Sequence, residues 1–517
     1  MSSSLFGVAS TIALLTLLSK GFGFGRELVI AGVFGASVAK DAYTAAYIIP
    51  SFSLVMLGGL TGPFHTAAQK VLATLRQQGR EDDMPDVMAS ITLIVSLVLG
   101  ACALLTYWAA PAAIRLVAFQ ASDATFDLAV MQLRIMAPLI LLGGWIGILC
   151  GVSNDQGDFT RPSLSPLIAS LAVILAVLLR PDPLTLAWGT LLGAFGQLIL
   201  QLPAAWKLWG GSVHLTRLSW RTAEAKSIWH MLLPACVSSG VGTLSVIIGT
   251  NFASSLPAGS ISVFDFANKL LQLPLGILMT ALLIPLFPLL TRAVVAKDDT
   301  SLTHHLNRGL TTIAYATFPL MAYFLAGGLP LVTVVYQRGA FDRQDTLATT
   351  SVLGICALGI ASYAARDLMV RVFYASNDGR TPLLVSVASL ALTTLGMALV
   401  VKPYGLEGLA AITALVTTVN CGLNAGLLKR RIPGWKLAGV IRHASRAASA
   451  ALAAGLATWA IANQFPLTDD SSRTWLLLVL QTGVFLTVYL LVVLVVSEPE
   501  MRLAWRNRLL ERLKNPR

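Results

Sequence analysis

The chain has 517 residues, of which 56% are hydrophobic and only 12% are charged, and its mean hydropathy is +0.73. A soluble domain carries about 25% charged residues, so this chain has too little polar surface to coat a water-soluble globule. In so apolar a chain, the net charge of +12 is typical of cytoplasmic loops rich in Lys and Arg, and we expect no nucleic-acid partner.

Long apolar runs bounded by Gly, Pro and charged residues predict an all-α polytopic membrane protein with about fourteen transmembrane helices. The first span lacks a small-residue cleavage site before its first charge, so we expect it to be retained. None of the five cysteines forms a CxxC pair, so neither a disulfide framework nor a zinc site is indicated. The predicted spans are residues 6–34, 41–75, 86–110, 125–151, 162–180, 184–208, 227–255, 262–292, 306–334, 345–375, 381–401, 408–429, 438–463 and 473–497.

The distribution of basic residues predicts that both termini lie in the cytoplasm. With that orientation, the inside loops, their helix ends and the tail contain 23 Lys and Arg residues. The outside loops contain 7, which are Lys40, Arg115, Arg180, Arg338, Arg343, Lys402 and Arg473. Such a bias follows the positive-inside rule. The basic tail, residues 498–517, is interpreted as a cytoplasmic anchor, with an amphipathic surface helix as the alternative.

Two sequence echoes indicate an internal repeat. Ser153-Asn154-Asp155 recurs as Ser376-Asn377-Asp378, 223 residues later, and the following prolines, Pro162 and Pro382, are 220 apart. The stretch from Asp41 to Pro50 recurs from Asp265 to Pro274, and each of these prolines is expected to interrupt a helix. We predict two parallel six-helix repeats, residues 1–222 and 223–432, followed by two additional helices, residues 433–497. Parallel repeats of this kind are typical of secondary transporters.

Charged residues inside predicted spans indicate where function resides, because a charge near the bilayer centre costs about 2.5–3.5 kcal/mol on insertion scales. Arg134 and the adjacent pair Arg366 and Asp367 are interpreted as locally paired or snorkelling residues. Helices 1 and 8 differ, because three cations there exceed two acids. The cations are Lys20, Arg26 and Lys269, the acids are Glu27 and Asp265, and Asp41, Asn268 and Gln272 lie near them in sequence.

Helix 1 also contains three alternating glycines, Gly21, Gly23 and Gly25, which predict a bend or a close backbone approach. With the interior prolines of helices 2 and 8, they predict mobile elements that line a cavity. An excess of positive charge in such a cavity predicts an anionic substrate. His65, in the broken part of helix 2, is interpreted as a packing or hydrogen-bonding residue.

These residues carry a family resemblance. The motifs are Ser19-Lys20-Gly21-Phe22-Gly23-Phe24-Gly25-Arg26-Glu27, Phe34-Gly35-Ala36, Asp41-Ala42-Tyr43 with Pro50, Phe266-Ala267-Asn268-Lys269-Leu270 with Pro274 and Gly276, Arg338-Gly339-Ala340-Phe341 with Asp345-Thr346, and Phe373-Tyr374-Ala375 with Asp378 and Thr381-Pro382. Each motif alone is weak, but the ordered set, from about residue 5 to 430, resembles the MurJ (MviN) family of lipid II flippases in the MOP exporter superfamily.

The resemblance implies a flippase that moves lipid II, an undecaprenyl-diphosphate-linked peptidoglycan precursor, across the bacterial plasma membrane by alternating access. It implies a cationic cavity, with substrate binding by Lys20, Arg26 and Lys269 and by Asp41, and a lipid-tail groove made by helices 13 and 14. Glu27 and Asn268 join this predicted site as neighbours of the cations. Other cell-wall synthesis proteins remain open as partners.

The sequence departs from the family in helix 2. Where the family has an Arg pair and then Glu-Gly-Ala-Phe, this chain has Ser53-Leu54-Val55 and then Gly58-Gly59-Leu60-Thr61-Gly62-Pro63-Phe64-His65. Two of the three cavity cations are also Lys, which binds phosphate as a point charge without the bidentate fork of Arg. The carried head group therefore stays open between lipid II and another lipid-linked oligosaccharide, such as an O-antigen or capsule unit.

Three other functional classes are less compatible with the sequence. A drug or cation antiporter of the MATE type shares the repeat plan but requires acidic cavity residues. An enzyme requires paired acids or a metal site, and the candidates Asp298-Asp299, Glu81-Asp82-Asp83 and Asp469-Asp470 lie in polar loops. A scaffold without transport leaves the intramembrane charges unexplained. We therefore expect no enzymatic activity and no cofactor. The chain lacks a G-x-x-x-x-G-K-[ST] loop, so no ATP is expected to be involved, and no metal or coupling-ion site is indicated.

Overall fold

The computed structural model describes residues 2–57, 62–210, 240, 242–432, 434–464 and 471–496, and these contain helices and no strand. The helices are α1 (Ser2–Phe34), α2 (Val38–Ser51), α3 (Pro63–Gln77), α4 (Met84–Trp108), α5 (Ala110–Val117), α6 (Asp123–Met136), α7 (Leu139–Asp155), α8 (Thr160–Leu179), α9 (Pro183–Trp209), α10 (Gly242–Ala253), α11 (Ser260–Val295), α12 (Asp299–Tyr336), α13 (Arg343–Ala357), α14 (Ile360–Ala375), α15 (Arg380–Arg431), α16 (Ala438–Gln464) and α17 (Ser471–Val496).

The predicted spans fall on these helices, so the prediction of an all-α polytopic membrane protein is confirmed. Within the described ranges, eight helical stretches are long and apolar enough to cross a membrane, and α13 with α14, bent by 45°, makes a ninth. Helix α15 covers two predicted spans, residues 381–401 and 408–429. Gly405 (φ 57°, ψ −137°) interrupts the helical backbone between them. The N-terminal part of the seventh predicted span and the basic tail lie outside the described residues.

Helix breaks occur at only some of the expected positions. After Pro50, α2 continues as a π-helical segment, Phe52–Leu57, and α3 then begins at Pro63. In contrast, α11 is one continuous helix through Pro274, so the expected interruption there is wrong. Helix α1 also continues through its glycines, and an added Cβ would meet no neighbour within 4 Å at Gly21 or Gly25. These two glycines therefore serve neither a helix break nor a close approach in this structure.

The chain divides into two compact units. The first contains Met1–Asp265 together with Arg338–Asp342, and the second contains Phe266–Gln337 and Arg343–Arg517. Helix α11 begins in the first unit and continues in the second. The predicted repeat boundary at residues 222 and 223 lies outside the described residues, and those domain limits stay a prediction.

The backbone itself repeats along the chain. Helices α6 and α7 together begin at Asp123 and end at Asp155, and the bent pair α13 and α14 begins and ends 220 residues later. Left-handed backbone positions recur at a similar interval. They are Gly35 and Gly259, Gly79 and Lys297, and Gly157 and Asn377. Left-handed turns at similar intervals indicate that the two parts of the chain repeat the same order of helices and turns, as the sequence echoes predicted.

The Ser-Asn-Asp echo is three residues out of the structural register. Asp158 accepts a hydrogen bond from the Thr160 N–H at the start of α8, and Asp378 accepts one from the Thr381 N–H at the start of α15. The equivalent residues are thus Asp158 and Asp378, 220 apart. Asp155 instead forms an ion pair with Arg76, 2.8 Å away. The spacing of the prolines, rather than of the triplet, gives the true register.

Small residues let the helices of each unit approach closely. In the first unit, an added Cβ at Gly193 would lie 3.0 Å from the Ala169 backbone, which brings α9 against α8. In the second unit, α16 packs on α12 through buried Ala450 and Ala454, with Ala322 on the opposite helix. Helix packing in membranes relies on such contacts, since lipid tails are as apolar as the side chains they replace.

The Arg338–Asp342 segment binds the C-terminal end of α1 within the first unit. The Ala340 N–H donates to the Gly32 carbonyl over 2.8 Å. Gly339 has φ +58°, and an added Cβ there would overlap the Gly32 carbonyl oxygen. The Arg-Gly-Ala-Phe motif therefore needs glycine for both conformation and space.

We expect Gly339→Ala to lower the thermal midpoint of the purified protein in detergent. The left-handed backbone alone costs a non-glycine residue about 1–3 kcal/mol, and the overlap with Gly32 adds to this. Gly379→Ala is the matched control, because Gly379 has φ −84° and no neighbour within 4 Å of an added Cβ. Equal midpoints for the two variants would contradict the assigned role of Gly339.

We expect Asp378→Ala to destabilise the protein by about 0.5–2 kcal/mol at pH 7, because the start of α15 loses its side-chain acceptor. Asp378 also pairs with Arg431, with 2.6 Å between Oδ2 and Nη1. The exposed Asp127 on α6 is the control, and Asp127→Ala should change stability by less than about 0.5 kcal/mol. Thermal midpoints in detergent measure both.

The Asp378 effect should also depend on pH. The Thr381 N–H, followed by Arg431, holds the pKa of Asp378 below its ordinary value. This stabilisation is therefore present above the unfolded pKa of about 3.9 and is lost as the pH falls through the lower folded pKa. The midpoints of wild type and Asp378→Ala should converge at acid pH, and a gap that stays constant would count against the cap.

Candidate charged site at the end of α1

Arg26 and Glu27 form an ion pair near the C-terminal end of α1. Arg26 donates from Nε over 3.2 Å and from Nη2 over 2.7 Å, both to Oε1 of Glu27. The Glu27 side chain is only 4% exposed, whereas that of Arg26 is 23% exposed. A carboxylate so deeply buried requires a cation beside it.

A second cation, Lys40, reaches the same carboxylate. Its Nζ lies 3.8 Å from Oε2 of Glu27 and 2.8 Å from Oδ2 of Asp265, and its side chain is 1% exposed. The ammonium also lies over the ring of Tyr43, 5.4 Å from the ring centroid. Lys40 occupies the first turn of α2, where the helix dipole disfavours a cation, so these acids and the ring offset an otherwise unfavourable position.

The sequence prediction missed Lys40, which it assigned to an outside loop. The sequence did contain a signal for Lys40. This residue lies between the Phe-Gly-Ala motif and Asp41, and Asp41 belongs to the sequence echo that also contains Asp265. Periodicity and hydropathy do not show which buried acid a lysine reaches.

Four residues thus form a neutral charge quartet, which we define as Arg26, Glu27, Lys40 and Asp265. It contains two cations and two acids, all within the first unit. Arg26, one of the three cations whose excess over the acids predicted an anionic substrate, is thus paired with Glu27 in this structure. Lys20, which precedes Arg26 by six residues on α1, is exposed and forms no ion pair among the described residues.

The remaining predicted residues have separate positions. Asn268 and Lys269 are half-buried on the part of α11 that belongs to the second unit. The structure brings Arg26 and Glu27 together, and adds Lys40 and Asp265 to them. A chamber shared by Lys20, Arg26 and Lys269 stays a prediction.

Asp41 caps the start of α11 rather than joining the quartet. Its Oδ2 accepts from the Gly259 N–H over 2.6 Å, and its Oδ1 accepts from the N–H and the hydroxyl of Ser262. Both carboxylate oxygens of this 3% exposed residue are thus occupied by the first turn of a helix. The neighbouring Lys40 contacts Asp265 one turn further along, so consecutive residues of α2 bind the start of α11.

Comparison with known proteins identifies the family. The family described as "Lipid II flippase MurJ" matches residues 30–468. A relative from Synechocystis sp., named "Probable lipid II flippase MurJ", is 34% identical over 473 residues, which are 89% of this chain and 88% of the relative. The chain belongs to the MurJ family. A "Lipid II flippase MurJ" from Burkholderia cenocepacia is 29% identical over 479 residues, covering 89% of this chain and 91% of the relative.

Solved structures support the same fold. One described as "Lipid II flippase MurJ, inward closed conformation" has a TM-score of 0.76 at 20% identity and covers 93% of this chain and 97% of that chain. An inward-facing MATE family transporter of the MOP superfamily has a TM-score of 0.67 at 12% identity, covering 83% and 99%. The fold is thus common to MurJ and MATE proteins, and function must be argued from the site.

Within the MurJ fold, the unusual helix 2 sequence is packed against α7. The Ser53 hydroxyl donates to the Ile140 carbonyl over 2.7 Å, and Ser53 is 3% exposed. An added Cβ at Gly143 would lie 2.8 Å from the backbone of Ser53 and Leu54. At this point the π-helical segment and α7 are in backbone contact, and Ser53 occupies a packed position rather than an exposed one.

Arg366 and Asp367, which are adjacent in α14, contact different partners. Asp367 pairs with Arg371, one turn away, over 3.3 Å. The guanidinium of the adjacent Arg366 instead lies over the Tyr363 ring, 4.8 Å from its centroid. Asp367 is therefore locally paired, but with Arg371 rather than with Arg366, because neighbours in a helix point in different directions and residues four apart share a face.

Other predicted residues have structural partners. The Arg134 guanidinium lies over the Tyr107 ring, 5.8 Å from its centroid. His65 Nε2 lies 2.7 Å from Nδ2 of Asn154, which agrees with a hydrogen-bonding role. Of the acidic loop clusters, Asp298 caps α12 through the Ser301 N–H, whereas Asp469-Asp470 lies outside the described residues.

We expect Asp41→Asn to lower the thermal midpoint, since an amide cannot accept from all the donors at the start of α11. A lost charged hydrogen bond costs about 1.5–3 kcal/mol. Ser262→Ala, which removes one hydroxyl donor and keeps the carboxylate, should cost about 1 kcal/mol. A midpoint unchanged by Asp41→Asn, combined with weaker binding of a diphosphate lipid, would instead make Asp41 a substrate contact.

Proposed function

We propose that this chain is a lipid II flippase, which moves the undecaprenyl-diphosphate-linked precursor from the inner to the outer leaflet by alternating access. Family membership supports the proposal, because the relatives from Synechocystis sp. and Burkholderia cenocepacia carry the name lipid II flippase. Peptidoglycan synthesis is then the process it serves.

The observation that carries the proposal is the arrangement of cations on α1. Lys20 is exposed within a predicted membrane span, and Arg26 is 23% exposed beside a carboxylate that is 4% exposed. A cation kept accessible at membrane depth is costly unless it meets an anion or water. The planar guanidinium of Arg26 matches a phosphate in the same bidentate way that it matches a carboxylate. We propose that both residues bind the diphosphate.

Residues of the second repeat complete the proposed site. We propose that Lys269 and Asn268, on the part of α11 that belongs to the second unit, also bind the head group of the substrate. Residues 433–497, which contain α16 and α17, would form the groove for the lipid tail. Glu27 pairs with Arg26 and so competes with the diphosphate for its guanidinium. Asp41 positions the start of α11.

We propose a location in the bacterial plasma membrane with both termini in the cytoplasm. The 23 basic residues assigned to the inside against 7 outside support this orientation. The basic tail, residues 498–517, would lie on the cytoplasmic side near anionic lipid.

Membrane potential supplies a driving force without a cofactor. A diphosphate of about two negative charges that leaves a negative interior gains roughly 4–5 kcal/mol at 100 mV, from about 2.3 kcal/mol per charge. This bound applies if the whole field is crossed and no counter-ion travels with the substrate. We propose transport without enzymatic turnover, and other cell-wall synthesis proteins as further partners.

Export of a different lipid-linked oligosaccharide is the second candidate. It is favoured by Ser53, which stands where the family resemblance implies an Arg pair and lies packed against α7. A site that lacks that contact has lower specificity for the head group. The diphosphate is common to both substrates.

Binding and growth measurements test the proposal. The purified protein should bind labelled lipid II, and binding should weaken at least tenfold when Lys20, Arg26 and Lys269 are all replaced by Gln. The same triple variant should fail to support growth of a flippase-depleted cell. Arg371→Gln, which breaks an ion pair within α14, is the control and should retain binding.

Normal growth with the triple variant would refute the assignment of these cations. Stronger binding of an undecaprenyl-diphosphate O-antigen unit than of lipid II would select the second candidate.

A further inference from the structure

The charge quartet contains two cations that differ in how firmly they are held. Lys40 is 1% exposed, lies 2.8 Å from Asp265 and lies over the Tyr43 ring. Arg26 is 23% exposed, and it pairs with the adjacent Glu27. The lysine is thus fixed by contacts from two helices, whereas the arginine is at the accessible side of the quartet.

Glu27 sets the condition that any movement of Arg26 must meet. Its side chain is 4% exposed, and leaving a buried carboxylate without a cation is strongly unfavourable. Arg26 therefore leaves Glu27 for another anion only if a second cation takes over the carboxylate. Lys40 is positioned to do this.

The distances fit such an exchange. Arg26 places both of its hydrogen bonds on Oε1 of Glu27, and Lys40 faces the other oxygen, Oε2, at 3.8 Å. A hydrogen bond to an ammonium needs roughly 2.7–3.2 Å, so an approach of about 1 Å converts this ion pair into a hydrogen bond. Lys40 can make that approach while Asp265 continues to hold it.

We propose that Lys40 is the standing counter-ion of Glu27, and that it makes the Arg26 guanidinium exchangeable between Glu27 and the diphosphate of the substrate. This inference rests on the proposed function and assigns to Lys40 a positioning role without substrate contact. In the resting state the quartet is neutral, and substrate binding replaces one carboxylate partner of Arg26 by phosphate oxygens.

The decisive experiment compares Lys40→Met with the double variant Lys40→Met/Glu27→Gln, using fluorescently labelled lipid II and purified protein. In K40M, Arg26 is held by Glu27 and affinity should fall at least tenfold. In the double variant, the neutral amide that replaces the Glu27 carboxylate no longer retains Arg26, so affinity should return to within about threefold of wild type. Removing a second charge from the site thus restores binding.

Two single variants keep the test independent of how well K40M folds. Glu27→Gln alone should bind lipid II at least as tightly as wild type, because Arg26 is released while Lys40 keeps Asp265. Lys40→Arg should retain binding within about threefold, because it preserves the counter-ion. Arg431→Met, which breaks the loop pair with Asp378, is the matched control; it should lower the thermal midpoint and leave affinity unchanged.

Each alternative outcome has a distinct meaning. If the double variant binds as weakly as K40M, Lys40 contacts the lipid itself or only supports the fold, and the proposal is overturned. The same holds if E27Q binds tenfold more weakly than wild type, or if K40M binds normally. If wild type binds neither lipid II nor another undecaprenyl-diphosphate lipid, the proposed function fails and this inference fails with it.

Discussion

A buried carboxylate needs a cation beside it, and this need explains the ion pairs at the C-terminal end of α1. Glu27 is almost fully enclosed, and Arg26 and Lys40 approach its two oxygens from different sides. Lys40 in turn needs an acid of its own, which Asp265 supplies from the start of α11. One buried negative charge therefore determines the positions of side chains on three helices. Insertion of any one of these charges alone would be costly in a membrane.

In the mechanism that we propose, this arrangement changes how the anionic lipid is captured. A cavity lined by unpaired cations would attract a phosphate strongly and release it slowly. The charge quartet would instead exchange one partner of Arg26 for another, so the net gain on binding would be smaller than the sum of the contacts. Lys20, which is exposed on the same helix, would attract the diphosphate without competition from a carboxylate. A transporter benefits from that balance, because the substrate must leave on the opposite side.

The internal repeat supplies the geometry but not the chemistry. Asp41 and Asp265 correspond in the sequence echo, yet Asp41 caps a helix and Asp265 pairs with a lysine. Similarly, the turns at Gly157 and Asn377 share a left-handed backbone, while Asp155 binds Arg76 without a counterpart in the same register. Repeated chain paths tolerate such divergence, since turns and helix starts need only one suitable acceptor.

The amino-acid sequence by itself determined the membrane-spanning helices, their approximate ends, the internal repeat and the acids and bases of helix 1. These depend on hydropathy, on proline and glycine, and on spacing along the chain, all of which are local properties. Only the tertiary structure decided which charges meet. Lys40 and Asp265 are 225 residues apart, Asp41 reaches the start of a helix 218 residues away, and Ser53 packs on a helix far along the chain. An ion pair depends on distance in space and on burial. Both are set when the helices pack, so neither can be seen in the order of residues alone.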